Sequence, residues 1–152
     1  MIWTVLFAWL HFLAVGLTAG TLLAEYWLLR RPLDRHQARL LGIVDLAYLL
    51  AAIGALATGL ARMLYFGSGA DYYAANALFW AKLGVFAAIA LVSMLPTVQF
   101  IRWNREVRAA PVFAPLPRDV LRVQGCVALE LALLGLVPLL AALIARGYSV
   151  HV

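Results

Sequence analysis

The sequence predicts an all-α integral membrane protein, a four-helix bundle with both termini on the outer, periplasmic side of a bacterial inner (cytoplasmic) membrane. Three observations predict it. Hydrophobic residues make up 66% of the chain and charged ones 12%, against roughly half and a quarter in an ordinary soluble domain, and the mean hydropathy is +0.94. Four apolar stretches take up most of the 152 residues, each long enough to cross a hydrocarbon core of ~30 Å. The basic residues are concentrated between those stretches rather than scattered. Of twelve Lys and Arg, four lie in the first connection (Arg30, Arg31, Arg35, Arg39) and five in the third (Arg102, Arg105, Arg108, Arg118, Arg122). By the positive-inside rule those two connections face the cytoplasm.

The expected spans run from about Ile2 to Leu29, Leu40 to Phe66, Ala77 to Trp103 and Val120 to Ala145. Backbone polar groups find no water in hydrocarbon, so runs of this length must be helices. Together they form a single transmembrane domain over 1–152 with no room for a soluble module. The first span lacks the basic flank and small-residue cleavage pattern of a signal peptide and reads as a retained helix. Pro96 and Pro138 interrupt the third and fourth spans, whereas Pro111, Pro115 and Pro117 make the third connection extended. The second connection, Gly67 to Tyr73, is turn-rich and then aromatic; it reads either as a cover over the outer mouth or as an ordinary loop.

The net charge of +5 does not indicate nucleic acid, because the cations serve topology rather than forming one soluble patch. The single cysteine, Cys126, lies within the fourth span and reads as packing; it offers neither a disulfide framework nor a Cys-based metal site. The expected surroundings are the lipid bilayer. A second copy of the chain or a larger membrane complex are further candidate partners.

Function is carried by the ionisable residues inside the spans, since each costs roughly 2.5–3.5 kcal/mol at mid-membrane on insertion scales. His11, Thr18 and Glu25 recur every seven residues, which places them on one face of the first helix within about 40°. Gly16 and Gly20 lie on the opposite side, as a small-residue stripe suited to close helix approach. The second helix carries Asp45, Tyr48, Ala52, Ala55, Gly59 and Arg62 at three- and four-residue steps, polar at both ends and small between. The third contributes Lys82, and the fourth Gln124 and Glu130.

The outer half thus combines one imidazole, a narrow Ala- and Gly-lined cleft and three cations, a set that suits haem b or a related porphyrin. His11 would be the axial ligand, with Lys82, Arg62 and Arg146 pairing the propionates. His11 reads equally as a hydrogen-bonded interior histidine, and Arg62, Arg146 and Lys82 as side chains snorkelling to the interface. Thr18, Glu25, Asp45 and Glu130 are the remaining buried polar residues. Glu25 and Glu130 read either as a proton path with Thr18 or as ion-pair partners of Arg30, Arg31 or Arg122. His36 and His151 fall in a connection and at the tail, so one chain cannot supply a bis-histidine haem site.

Three segments carry a resemblance: His11-Phe-Leu-Ala-Val-Gly-Leu-Thr-Ala-Gly20, Phe79-Trp80-Ala81-Lys82-Leu83 and Ala141-Ala-Leu-Ile-Ala-Arg146-Gly147. Over the whole chain they resemble a family of small bacterial inner-membrane proteins grouped as a domain of unknown function. That family is associated here with the superfamily of HemJ-type membrane protoporphyrinogen oxidases and CopD-type copper-resistance proteins. The resemblance to the HemJ type implies that His11 and Lys82 stand where that type has its haem- and porphyrin-linked histidine and lysine. Its Leu-Pro-Arg run late in the first helix is replaced by Leu23-Ala24-Glu25-Tyr26, and its histidine at the end of the third helix is missing. A haem site carries over more readily than oxidase activity.

Three function classes follow. The first is a HemJ-like b-type haem- or porphyrin-binding redox protein, with porphyrin or quinone as its partner. The second is transport of protons along His11, Thr18, Glu25 and Glu130, or of copper. The third is an accessory membrane subunit whose buried polar groups fix helix register.

Overall fold

The computed structural model describes residues 2–66 and 77–146. The expected cover over the outer mouth, Gly67 to Tyr73, and the tail histidine His151 lie outside the described residues. Four helices run along the chain: α1 (Ile2–Leu29), α2 (Arg35–Ala61), α3 (Ala77–Ala109) and α4 (Pro117–Ala145). A π-helical turn, Arg62–Phe66, prolongs α2. All four helices are long and apolar enough to cross a membrane, and no strand occurs among the described residues.

The helix ends depart from the expected ones where polar chemistry, rather than hydropathy, sets them. α2 begins at Arg35 instead of Leu40 because Asp34 caps it, its carboxylate accepting from the Gln37 N–H at 2.8 Å. α4 begins at Pro117, a residue preset for the first helical turn that needs no backbone donor there. α3 continues six residues past Trp103, and its exposed carbonyls are closed by a side chain from another helix. The Arg35 guanidinium donates through Nη1 to the carbonyls of Ala110 and Pro111 and through Nη2 to that of Val107, each at 2.6 Å. A cation at a helix C-terminus also meets the negative end of the dipole. Arg35→Ala is therefore expected to lower stability by about 1–2 kcal/mol, measured by unfolding in detergent. Arg35→Lys should recover only part, because an ammonium cannot fork between carbonyls.

The helices pack in a ring. α1 lies on α2 and α3 on α4 most extensively, while α2–α3 and α1–α4 close the ring and the diagonal pairs do not approach. Long apolar side chains cover the exterior, with Trp3, Phe12, Leu17, Ile43, Leu91 and Leu139 among those exposed, as a bilayer requires. Packing inside is uneven along the axis. Leu22, Leu29, Leu41, Phe100, Trp103, Val107, Val123 and Val127 form a buried apolar core whose members lie mostly in the half next to the two basic connections. Pro96 is buried and Pro138 exposed, and neither ends its helix.

Two expectations are corrected. Gly16 and Gly20 are exposed, and an added Cβ would meet nothing within 4 Å at either, so among the described residues no helix packs on that stripe. Close approach occurs at α2 glycines instead: a Cβ on Gly42 would collide with the Asn104 side chain, and one on Gly59 would press on His11. Asn104 occupies its space because its amide donates to the carbonyls of Ala38 and Phe100 at 3.1 and 3.0 Å, tying α3 to α2. The second correction concerns Ala52, expected to line the interior; the buried alanines of α2 are Ala38, Ala51 and Ala55.

A cleft and an acidic cluster form the candidate functional site

In the half of the bundle away from the basic connections, the α1–α2 and α3–α4 pairs part to leave a cleft of about 80 Å³. His11, Val15 and Thr18 of α1 and Ala55, Leu56 and Gly59 of α2 form one wall; Lys82 and Phe86 of α3 face Leu134 and Val137 of α4 on the other. The sequence put His11 of the first helix and Lys82 of the third in one site, and both line this cleft. The cleft is otherwise apolar except for Thr18.

His11 is held by α2. Its Nδ1 lies 3.0 Å from the Ala55 carbonyl and 3.1 Å from Thr58 Oγ1. A carbonyl only accepts, so Nδ1 donates and, in the neutral ring, Nε2 keeps the lone pair. Thr58 is oriented in turn, its hydroxyl donating to the Gly54 carbonyl at 2.6 Å. Gly59 lets the ring lie flat on α2: a Cβ there would stand 3.2 Å from His11 Cε1 and 3.6 Å from Nδ1. Gly59→Ala is thus expected to tilt the ring and lengthen the Nδ1 contact to Ala55. Nitrogen-15 chemical shifts of the imidazole would register the change.

The cations divide. Lys82 lines the cleft, and Arg62 faces both His11 and Lys82 electrostatically. The Arg62 guanidinium sits over the Phe12 ring, 5.7 Å from its centroid, at the start of the π-helical turn. Arg146 ends α4 as an exposed cap residue outside the cleft lining.

Deeper in the bundle Glu25, Asp45 and Glu130 gather from α1, α2 and α4, and at 1%, 8% and 1% exposure all are buried. Glu25 faces both other carboxyls, and Glu130 faces Asp45. Asp45 accepts from Thr97 Oγ1 at 2.8 Å. Glu25 Oε1 and both Glu130 oxygens have no hydrogen-bond partner. Tyr48 stands beside Glu130 and Ser93, facing the carboxyl without completing a bond to it. Pairing of Glu25 or Glu130 with Arg30, Arg31 or Arg122 is not found: among the described residues the one ion pair is Arg118–Asp119, at 3.8 Å on the surface. Arg30 instead reaches over the ring of Tyr26. Sequence reading found these residues individually but missed Thr97, Tyr48 as a Glu130 neighbour, and Thr58, which has no signal beyond lying three residues after Ala55.

Haem b was expected from the residues. As donor chemistry the site fits it, offering one imidazole with Nδ1 occupied and Nε2 left over, an apolar lining and a cation. The cleft is too small for a macrocycle with the helix pairs as close as they stand, so a tetrapyrrole would enter by parting them. Among the described residues no group of three or more His, Cys, Asp or Glu is arranged to hold a metal ion.

A family model described as "Predicted membrane protein (DUF2214)" matches residues 3–149, and the chain belongs to that family. No curated protein and no solved structure matches it.

Proposed function

We propose that this member of the predicted membrane protein family DUF2214 binds a haem or porphyrin in the cleft between its two helix pairs, in a bacterial inner membrane with both termini outside. The observation that carries the reading is the anchoring of His11: a backbone carbonyl holds Nδ1 at 3.0 Å. That is the usual way a histidine is fixed so that its second nitrogen can bind a metal. Lys82, on the other wall of the same cleft, supplies a charge for a tetrapyrrole carboxylate. Phe86, Leu134 and Val137 give apolar surface for the ring and keep water out.

A bound haem would supply one-electron redox chemistry, with quinone or a porphyrin substrate as the exchange partner. The chain's own residues orient, neutralise and desolvate. Purified protein titrated with hemin is expected to develop the absorption band of protein-bound haem, saturating near one equivalent. No spectral change with hemin, and no fluorescence change with metal-free porphyrin, would overturn the reading.

A further inference from the structure

We propose that Glu25, Asp45 and Glu130 form a proton-binding site inside the bundle that exchanges protons with the cleft through Thr18. Two observations carry it together. The three carboxyls come from three different helices and lie close enough to interact electrostatically. Glu25 Oε1 and both Glu130 oxygens are also buried without a completed hydrogen bond, with the Tyr48 hydroxyl beside Glu130, on side chains 1% exposed. Proteins rarely leave several carboxylate oxygens orphaned in one place, because an anion without countercharge or donors is poorly tolerated away from water. A proton is the occupant that resolves this, since each proton removes a charge and turns one oxygen into a donor for its neighbour.

The surroundings offer no other occupant. From α2 the cluster meets Asp45 and Tyr48, from α3 the hydroxyls of Thr97, on Asp45, and Ser93, on Tyr48, and from α4 Glu130 itself. No cation among the described residues pairs with any of the three carboxyls, and they are not arranged to hold a metal. Three like charges in one low-dielectric space repel, so the cluster shares protons rather than ionising fully.

Thr18 is the connecting group. It is the one hydroxyl in the cleft lining, is 2% exposed, and precedes Glu25 by two turns on the same face of α1. Its Oγ1 donates to the Ala14 carbonyl at 2.8 Å, which leaves its lone pairs to accept from a water or carboxyl. Buried apolar residues, Ala51 of α2 and Ile89 of α3, lie in sequence between the residues around the cluster and those lining the cleft on the same helix. The arrangement suits a store that gives protons to, or takes them from, whatever occupies the cleft.

Infrared spectroscopy of the full chain in lipid nanodiscs, without any tetrapyrrole, tests the site separately from hemin binding. The wild type is expected to show a protonated-carboxyl stretch at neutral pH that shifts in heavy water, and Glu25→Gln and Glu130→Gln should each remove part of it. Asp45→Asn gives the same readout should either variant not fold. Absence of that stretch, or a stretch unchanged in all the variants, would overturn the site. Thr18→Val is expected to slow the exchange of this proton with heavy water about tenfold, as for the loss of one hydrogen-bonded link. Unchanged exchange would overturn the route through the cleft.

Discussion

His11→Ala is expected to weaken hemin binding at least about 100-fold, since loss of an outer partner of a metal-bound histidine alone costs 10–100-fold. The bundle should survive the change. Thr58 retains its bond to the Gly54 carbonyl, and the ring is only half-buried, so no sealed cavity is left behind. Thermal unfolding followed by circular dichroism should therefore stay close to wild type while the haem band disappears. Lys82→Met provides the contrast, because a carboxylate partner serves hemin and metal-free porphyrin alike whereas an imidazole ligand serves only the iron. His11→Ala should spare metal-free porphyrin binding and Lys82→Met should weaken both. Equal loss of both ligands in His11→Ala would mean that the ring acts through the shape of the cleft and not through Nε2.

Much of this arrangement is legible in the residues alone, and the part that is not has an identifiable cause. The helix count follows from hydropathy because a bilayer permits little else. The seven-residue recurrence of His11, Thr18 and Glu25 does place them inward: Thr18 and Glu25 are buried and His11 lines the cleft. Helix rotation about the partner axis is less legible. Gly16 and Gly20 have the spacing of a packing motif yet face outward, because the polar stripe on the other side of α1 has the stronger claim on the interior. Arg35 illustrates a second limit. Counting charges reads it as a topology signal, but its three bonds to the end of α3 depend on where a helix 70 residues later stops. The acidic cluster is a third case, since sequence showed arginines near Glu25 and Glu130 and could not show that their side chains point away, as Arg30 does over Tyr26.

Phe100→Ala is expected to destabilise the bundle by about 2–3 kcal/mol, the largest stability effect among the changes considered. In a soluble core such a truncation costs 3–5 kcal/mol, part of it the lost transfer from water and part the cavity left behind. Here the transfer part nearly vanishes, because a separated helix in the bilayer already holds the ring in hydrocarbon. The cavity part remains in full: Phe100 is 0% exposed and its ring lies 5.9 Å from that of Trp103, itself 2% exposed. Its backbone carbonyl also accepts from Asn104, which bridges to Ala38 on α2, so a shift of the chain there would loosen the α2–α3 contact. Leu91→Ala is the control, removing an apolar side chain from a lipid-facing position 69% exposed, and should cost less than about 0.5 kcal/mol. Reversible unfolding in mixed micelles measures both. Equal costs for the two positions would refute the packed core in the basic half of the bundle. A large cost at Phe100 alone would show that helix packing, not exclusion from water, holds that half together.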